Sequence, residues 1–328
     1  MNGSPVETVF SMLNDTAVSL QDARASSYLE ALAESGEYWF SGEVDEELDE
    51  VIKKRLAHAY ESHPLENYGK EEIRKAYQLA ILKGMKEHIQ PNHQMTPDSI
   101  AMVIGFLLDK FTSNEQELKL LDPALGTGNL ALAIMNQLEG KVSLTHGVEI
   151  DEVLVRLAYV GANLTEQPLH LYTQDALEPL FIDPVDAVIS DLPVGYYPND
   201  ERAADYELQA KEGHSYAHHL FIEQSIQHVK EGGYLFFLVP NGLFESPFAS
   251  QLHEFLQKQV HIQGLLKLPD SLFKSEQAGK SVLILQRQKE GVNPPRQVLL
   301  AEMPKLSNAQ AVQSMMNKIG LWMEENKK

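Results

Sequence analysis

The segment Leu120-Leu121-Asp122-Pro123-Ala124-Leu125-Gly126-Thr127-Gly128-Asn129-Leu130-Ala131-Leu132-Ala133-Ile134 constrains this chain more than any other. An apolar run ends on a carboxylate, two glycines follow, and apolar residues resume at once. The pattern predicts a strand, a tight turn and a helix beginning at Asn129. The glycines let the backbone bend sharply and approach a ligand, towards which the helix N-terminus presents free N–H groups. Gly126-x-Gly128-x-x-Ala131 alone also fits a dinucleotide-binding loop. Asp122 separates the two readings, because a carboxylate at the strand end repels a pyrophosphate but complements an ammonium group. The methionine moiety of S-adenosylmethionine (SAM) carries such a group, which Asp122 would meet directly or through water.

Further carboxylates follow at the ends of later apolar runs. Ser143 to Val148 leads into Glu149-Ile150-Asp151, and an acidic residue at a second strand tip can accept from both ribose hydroxyls. Glu149 is the expected acceptor, with Asp151 capping the next helix. Asp175, in Thr173-Gln174-Asp175-Ala176, lies just past a third strand, where it is either a helix cap or an acceptor for an adenine amino group. A fourth strand, Asp186 to Ser190, runs into Asp191-Leu192-Pro193-Val194-Gly195-Tyr196-Tyr197-Pro198. A carboxylate there, with the next carbonyl held rigid by proline, can take both hydrogens of an exocyclic amine and aim its lone pair at a methyl donor.

This series resembles the N6-adenine DNA methyltransferases, and most closely the modification subunits of type I restriction systems. The likeness spans about residues 94–287. It rests on Gln94-Met95-Thr96-Pro97, on Asp122-Pro123 with Gly126 and Gly128, on the acidic tips Glu149 and Asp175, and on Asp191-Leu192-Pro193-Val194 in place of N/D-P-P-Y/F. Two later stretches also match, 231–242 and Leu268-Pro269-Asp270-Ser271-Leu272-Phe273 followed by Lys280-Ser281-Val282-Leu283-Ile284-Leu285. The resemblance implies SAM as cofactor, held by Thr96, Asp122, Pro123, Ala124, Gly126, Thr127, Gly128, Asn129, Leu130, Glu149, Ile150, Asp175, Ala176 and Asp191. It implies catalysis by Asp191 with the Leu192 carbonyl and Pro193. The family's aromatic, which stacks on a flipped base, is replaced by Val194, leaving Tyr196 or Tyr197 to supply a ring. Residues after 290 suffice for a strand and a helix but not for a target-recognition domain, so DNA would be engaged with a specificity partner. Methylation of a protein amide and a SAM-binding protein without this catalysis are the alternatives.

The implied fold is α/β, a SAM-type Rossmann-like sheet of seven strands with an N-terminal all-helical domain. Strands are expected near 118–122, 143–149, 169–173, 185–190, 233–239, 261–267 and 281–287, the last antiparallel beside the fifth. Helices are expected near 97–111, 129–139, 151–164, 216–230 and 247–258. Residues 1–92 read as helical, from apolar positions such as Leu29, Leu32, Ile73, Ala76, Tyr77 and Ala80, and 93–328 as the methyltransferase domain with a final helix from Asn308. His214, His218 and His219 lie close together, but without an H-E-x-x-H pattern they read as capping or packing residues rather than metal ligands.

Charge bears on the partner. The net charge is −20; residues 1–50 hold twelve acidic side chains and one basic, and 51–90 hold five and eight. The part bearing the motifs is acidic too, which disfavours tight stand-alone binding to a phosphate backbone. The acidic run from Glu43 to Glu50 reads as a solvated face or connector. With no cysteine, no signal-like N-terminus and no long apolar run, the chain reads as cytoplasmic.

Overall fold

The computed structural model describes residues 3–87 and 95–326. The expected junction between residues 92 and 93, and Gln94, lie outside the described residues. Helices α1 (Pro5–Arg24), α2 (Tyr28–Ser41), α3 (Glu50–Ser62) and α4 (Lys70–Glu87) open the chain. Their starts are written locally: Ser4 with Glu7, and Ser27 with Glu30, form reciprocal capping boxes that satisfy otherwise free N–H groups. The acidic run is a connector with fixed points, since Asp45 pairs with Arg24, Leu48 is buried and Asp49 caps α3.

After α5 (Asp98–Phe111) strands and helices alternate: β1 (Leu118–Asp122), α6 (Asn129–Gln137), β2 (Val142–Glu149), α7 (Glu152–Leu164), β3 (Leu169–Thr173), β4 (Val185–Asp191), the short α8 (Asp200–Ala203), α9 (Ala217–His228), β5 (Val229–Pro240), α10 (Ala249–Gln259), β6 (Val260–Lys267), β7 (Lys280–Arg287), β8 (Leu299–Glu302) and α11 (Ala309–Asn326). The sheet order is β3-β2-β1-β4-β5-β7-β6-β8, with β7 antiparallel to both neighbours. Alternate residues feed opposite layers: Leu120, Ile189 and Phe236 pack on one face, Leu121, Val188 and Phe237 on the other.

Two expectations need correction. Among the described residues the sheet has eight strands, not seven, because Leu299–Glu302 adds in parallel to β6. The bare backbone of Gly264 lets Leu299 approach, and α11 covers this region with buried Ile319 and partly buried Met315 and Trp322. The sequence leaves room for a strand after residue 290, but four residues give too little alternation to place it in the sheet beforehand. The expected helix 216–230 ends at His228, and β5 starts at Val229 rather than 233. The β4–β5 register jumps from Val185↔Val229 to Ala187↔Tyr234, so residues 230–233 hold an irregularity that breaks the period of two.

The helical domain sits on α7, a helix with two apolar faces. Leu154, Leu157, Val160 and Leu164 join the helical core, while Ala158 and Ala162 face the sheet. Gly36 makes close contact possible: a Cβ there would lie 2.3 Å from Val160 Cγ1. Arg156 fastens the same junction through a two-point ion pair with Glu37, at 2.8 and 2.5 Å.

Candidate active site

The carboxyl ends of β1, β2 and β4, with the loop after β3, bring the sequence-predicted carboxylates to one edge of the sheet. Asp122 is 1 % exposed at the end of β1. It accepts from Ser190 Oγ at 2.7 Å and from the Ala124 N–H at 3.1 Å. Burial pushes its carboxyl up to about 7; the nearby charges of Asp191 and Glu149 add to the rise, and the two hydrogen bonds oppose it. A buried carboxylate without a cationic partner gains most from a ligand that brings a positive charge.

The turn after Pro123 and Ala124 is held by left-handed glycines, Gly126 at φ 57° and Gly128 at φ 78°. A Cβ on Gly126 would meet nothing within 4 Å, so that side of the turn is open, whereas one on Gly128 would press on Ala158 Cβ at 3.2 Å. Thr127, Asn129 and Leu130 are buried. Glu149 folds back across the turn: one oxygen accepts from the Gly126 N–H at 2.9 Å, the other from the N–H groups of Ile150 and Asp151 at 2.8 and 3.0 Å. Asp151 caps α7. Ile150 is exposed at the strand tip and presents an apolar surface beside these polar groups.

Asp175 accepts from the Leu177 N–H at 2.9 Å and from the Tyr197 hydroxyl at 2.5 Å; Ala176 beside it is buried. This bond separates the two candidate tyrosines. Tyr197 is buried, and burial together with Asp175 holds its hydroxyl well above the usual phenol range. Tyr196 is 62 % exposed and stacks on Tyr216 at a centroid distance of 5.1 Å and an interplanar angle of 10°. Two backbone bonds, Tyr197 N–H to Ser215 O and Ala217 N–H to Gly195 O, clip the segment to the start of α9. Tyr216 stacks in turn on His218, 5.2 Å away. His218 and His219 are buried and neutral, pushed down to about 4 and about 3 by burial, with smaller contributions from Lys280 and His218 respectively. Among the described residues no group of three or more acidic or histidine side chains is placed to hold a metal ion.

Asp191 is the last residue of β4. Its Oδ2 accepts from Thr96 Oγ1 at 2.9 Å, and its Oδ1 is paired with Lys280 Nζ at the start of β7. Leu192 is buried, its N–H bonded to Leu238 O at 3.2 Å; Pro193 is partly buried, while Val194 is exposed. Sequence reasoning missed Lys280, since a basic residue beginning a strand carries no signal of a carboxylate on another strand. It also missed Arg74, which is buried in α4 and donates to Asn129 Oδ1 at 2.9 Å. Its spacing from Tyr77 and Ile81 on the apolar stripe of α4 was the one available cue.

The set of acceptors fits SAM. Asp122, Glu149 and Asp175 offer carboxylate acceptors, and SAM carries an ammonium group, a ribose diol and an adenine amine, all donors. Gly126 leaves the adjoining side of the turn open.

Comparison with known proteins identifies the family of the chain. Residues 90–319 match the family model described as N-6 DNA Methylase, and residues 7–85 match the YtxK N-terminal helical domain. The Bacillus subtilis protein YtxK is 50% identical over 329 residues, covering 100% of both chains. The crystal structure of a Listeria monocytogenes protein assigned to the class I SAM-dependent methyltransferases superposes with a TM-score of 0.91 at 47% identity, over 98% of this chain and 99% of that one. The methyltransferase subunit of a type I restriction-modification system from Streptococcus thermophilus shares the fold, with a TM-score of 0.67 at 16% identity over 97% of this chain and 74% of that one.

Proposed function

We propose, on the premise that this chain belongs to the N-6 DNA methylase family, that it is a SAM-dependent methyltransferase whose acceptor is an exocyclic amino nitrogen, that of adenine in DNA. The observation that carries this reading is Asp191 at the tip of β4, beside the acidic strand tips that suit the cofactor. SAM, when bound, would supply a methyl group on a sulfonium centre; the amine lone pair would form the N–C bond as the C–S bond breaks and S-adenosylhomocysteine leaves, and the nitrogen would then give up one proton to solvent, so no prior deprotonation is needed.

The residues divide the work as follows. Asp122 meets the ammonium group, Glu149 the ribose hydroxyls and Asp175 the adenine amine, while exposed Ile150 supplies apolar surface and buried Pro123, Leu130 and Ala176 back the loops that carry these groups. Thr96, Ala124, Gly126, Thr127, Gly128 and Asn129 shape the turn. Asp191 and the Leu192 carbonyl, stiffened by Pro193, accept the two amine hydrogens and leave the lone pair facing the methyl group. The contribution is orientation and electrostatic complementarity, so no strong base is required. Tyr196, largely exposed beside Tyr216 and His214, provides an aromatic surface for a base, which Val194 cannot. The net charge of −20 supports a partner that supplies most of the contact with DNA phosphates and the sequence recognition.

A second reading rests on one observation: both oxygens of Asp191 already hold donors, Thr96 and Lys280. It describes a SAM-binding protein that acts on an amine other than adenine, such as a protein amide, or transfers no methyl group. Calorimetric titration with SAM, using Asp122→Ala and Glu149→Ala as controls, followed by tritium transfer to unmethylated genomic DNA, separates these readings. Binding lost in both variants, with label on adenine, is the expected result. Binding without transfer favours the second reading, and no binding to the wild-type protein removes the cofactor assignment.

A further inference from the structure

Arg74 is 4 % exposed, on a helix of the N-terminal domain that contributes none of the other site residues named above. Its guanidinium donates to Glu71 through Nε and NH2, at 2.8 and 2.7 Å, and to Asp98 through NH1 and NH2, at 3.0 and 2.7 Å. NH1 also reaches Asn129 Oδ1 at 2.9 Å. Asn129 is the first residue of α6, immediately after Gly128. Its Nδ2 donates to the Thr96 carbonyl at 2.8 Å and to Asp98 Oδ1 at 3.2 Å. Thr96 Oγ1 donates in turn to Asp191. A continuous hydrogen-bonded path therefore runs from α4 to the end of the glycine turn, and through Thr96 to the strand-tip carboxylate.

A buried cation is an expensive way to join two layers, because its desolvation offsets most of what its ion pairs return, and apolar packing of similar volume is often as stable. What a guanidinium adds is geometry: a planar fork with five donors fixes several acceptors at once. Here those acceptors orient Asn129 and, through its amide, the Thr96 segment. Without Arg74 the Asn129 amide oxygen loses its donor, and Asp98, which shares the Asn129 Nδ2 donor with the Thr96 carbonyl, loses its cation, so the amide that holds the Thr96 segment is less firmly set.

We propose that Arg74 is a positioning residue for this site: the helical domain, through Arg74, Asn129 and Thr96, sets where the Gly126–Gly128 turn and the Asp191 carboxylate stand. The inference rests on the cofactor reading above. It makes the helical domain part of the methyltransferase machinery rather than an appendage to it.

The test measures SAM affinity by calorimetry for the full-length wild type, Arg74→Lys, Thr96→Val and the double variant, at a temperature where circular dichroism shows every protein folded. Arg74→Lys keeps the charge and removes the fork. Its affinity is expected to fall on the order of tenfold to a hundredfold, since small displacements of a positioned group are costly. The double variant is expected to lose no more than the weaker-binding single, because both changes break one path. Deuterium exchange in residues 120–134 should rise in Arg74→Lys while that in residues 5–24 stays as in the wild type, a local loosening that a general loss of stability does not produce. If Arg74→Lys fails to fold, Asp98→Asn, which leaves an oxygen acceptor but removes one counter-charge, is expected to weaken SAM binding in the same direction. A folded Arg74→Lys, or Asp98→Asn in its place, that binds SAM within twofold of the wild type overturns the proposal. A wild-type protein that binds no SAM overturns the cofactor reading instead.

Discussion

Lys280 Nζ and Asp191 Oδ1 form an ion pair across β5, which lies between β4 and β7 in the sheet. On the proposed reading an amine substrate would place its own hydrogen at this carboxylate oxygen, so the ammonium of Lys280 would compete with it for one acceptor. Both side chains are about one-fifth exposed, at 21 and 20 %. The pair is thus shielded enough for its loss to be felt.

Replacing Lys280 by methionine keeps the length of the side chain and leaves Asp191 without its cation. Stability should fall by about 1–3 kcal/mol, the usual consequence of stranding a partly buried charged acceptor. Urea denaturation checks this, and an unchanged midpoint would show that the pair contributes nothing. Asp191→Asn/Lys280→Met, with both charges gone, should recover part of the loss.

On the proposed reading, Asp122 should make cofactor binding depend on pH. Its native carboxyl is raised from 3.8 to about 7. Contact with an ammonium group requires the ionised form, so SAM affinity should decline as pH falls below 7, approaching roughly tenfold per unit. Without ligand the sign is opposite for stability. Between about 4 and 7 the native state retains a proton that the unfolded chain has released, so this group lowers stability as pH rises through that window. Asp122→Asn should flatten both dependences; calorimetry and thermal melts at several pH values would show whether it does.

Gly128→Ala places a side chain at φ 78° and within 3.2 Å of Ala158. The left-handed conformation alone disfavours alanine by about 1–2 kcal/mol. The melting temperature and SAM affinity should therefore fall together. Preservation of both would mean that the turn tolerates a side chain and is not fitted closely against α7.

The two tyrosines should respond differently. Tyr196→Ala removes an exposed ring and should leave stability nearly unchanged while weakening binding of an adenine-containing oligonucleotide by about 1–3 kcal/mol, the scale of one base–aromatic stack. Tyr196→Phe should retain that binding. Tyr197→Phe deletes the buried bond to Asp175 and should instead lower stability by about 1 kcal/mol. If oligonucleotide binding responds to Tyr197 and not to Tyr196, the assignment of the stacking surface is wrong.

The sequence by itself determined the parts whose chemistry is local. Asp122 followed by Gly126 and Gly128 specifies a strand, a left-handed turn and a helix, because only glycine takes those angles without strain. Ser4 with Glu7, and Ser27 with Glu30, write helix starts within four residues of chain. The acidic strand tips follow from the same βα pattern.

Tertiary structure alone decided which partners meet these groups. Lys280 stands 89 positions from Asp191 and Arg74 stands 55 from Asn129, and neither has a periodic or neighbouring signal that names the other. Tyr196 and Tyr197 are adjacent and chemically identical, yet one is held to Asp175 and the other stacks at the surface. Strand β8 pairs with β6 where Gly264 admits Leu299, and α11 packs on the sheet face to which Leu299 belongs. Backbone conformation depends on near neighbours in the chain, whereas burial, ion pairing and side-chain orientation depend on what the fold brings close in space, and that is set by the packing of the whole molecule.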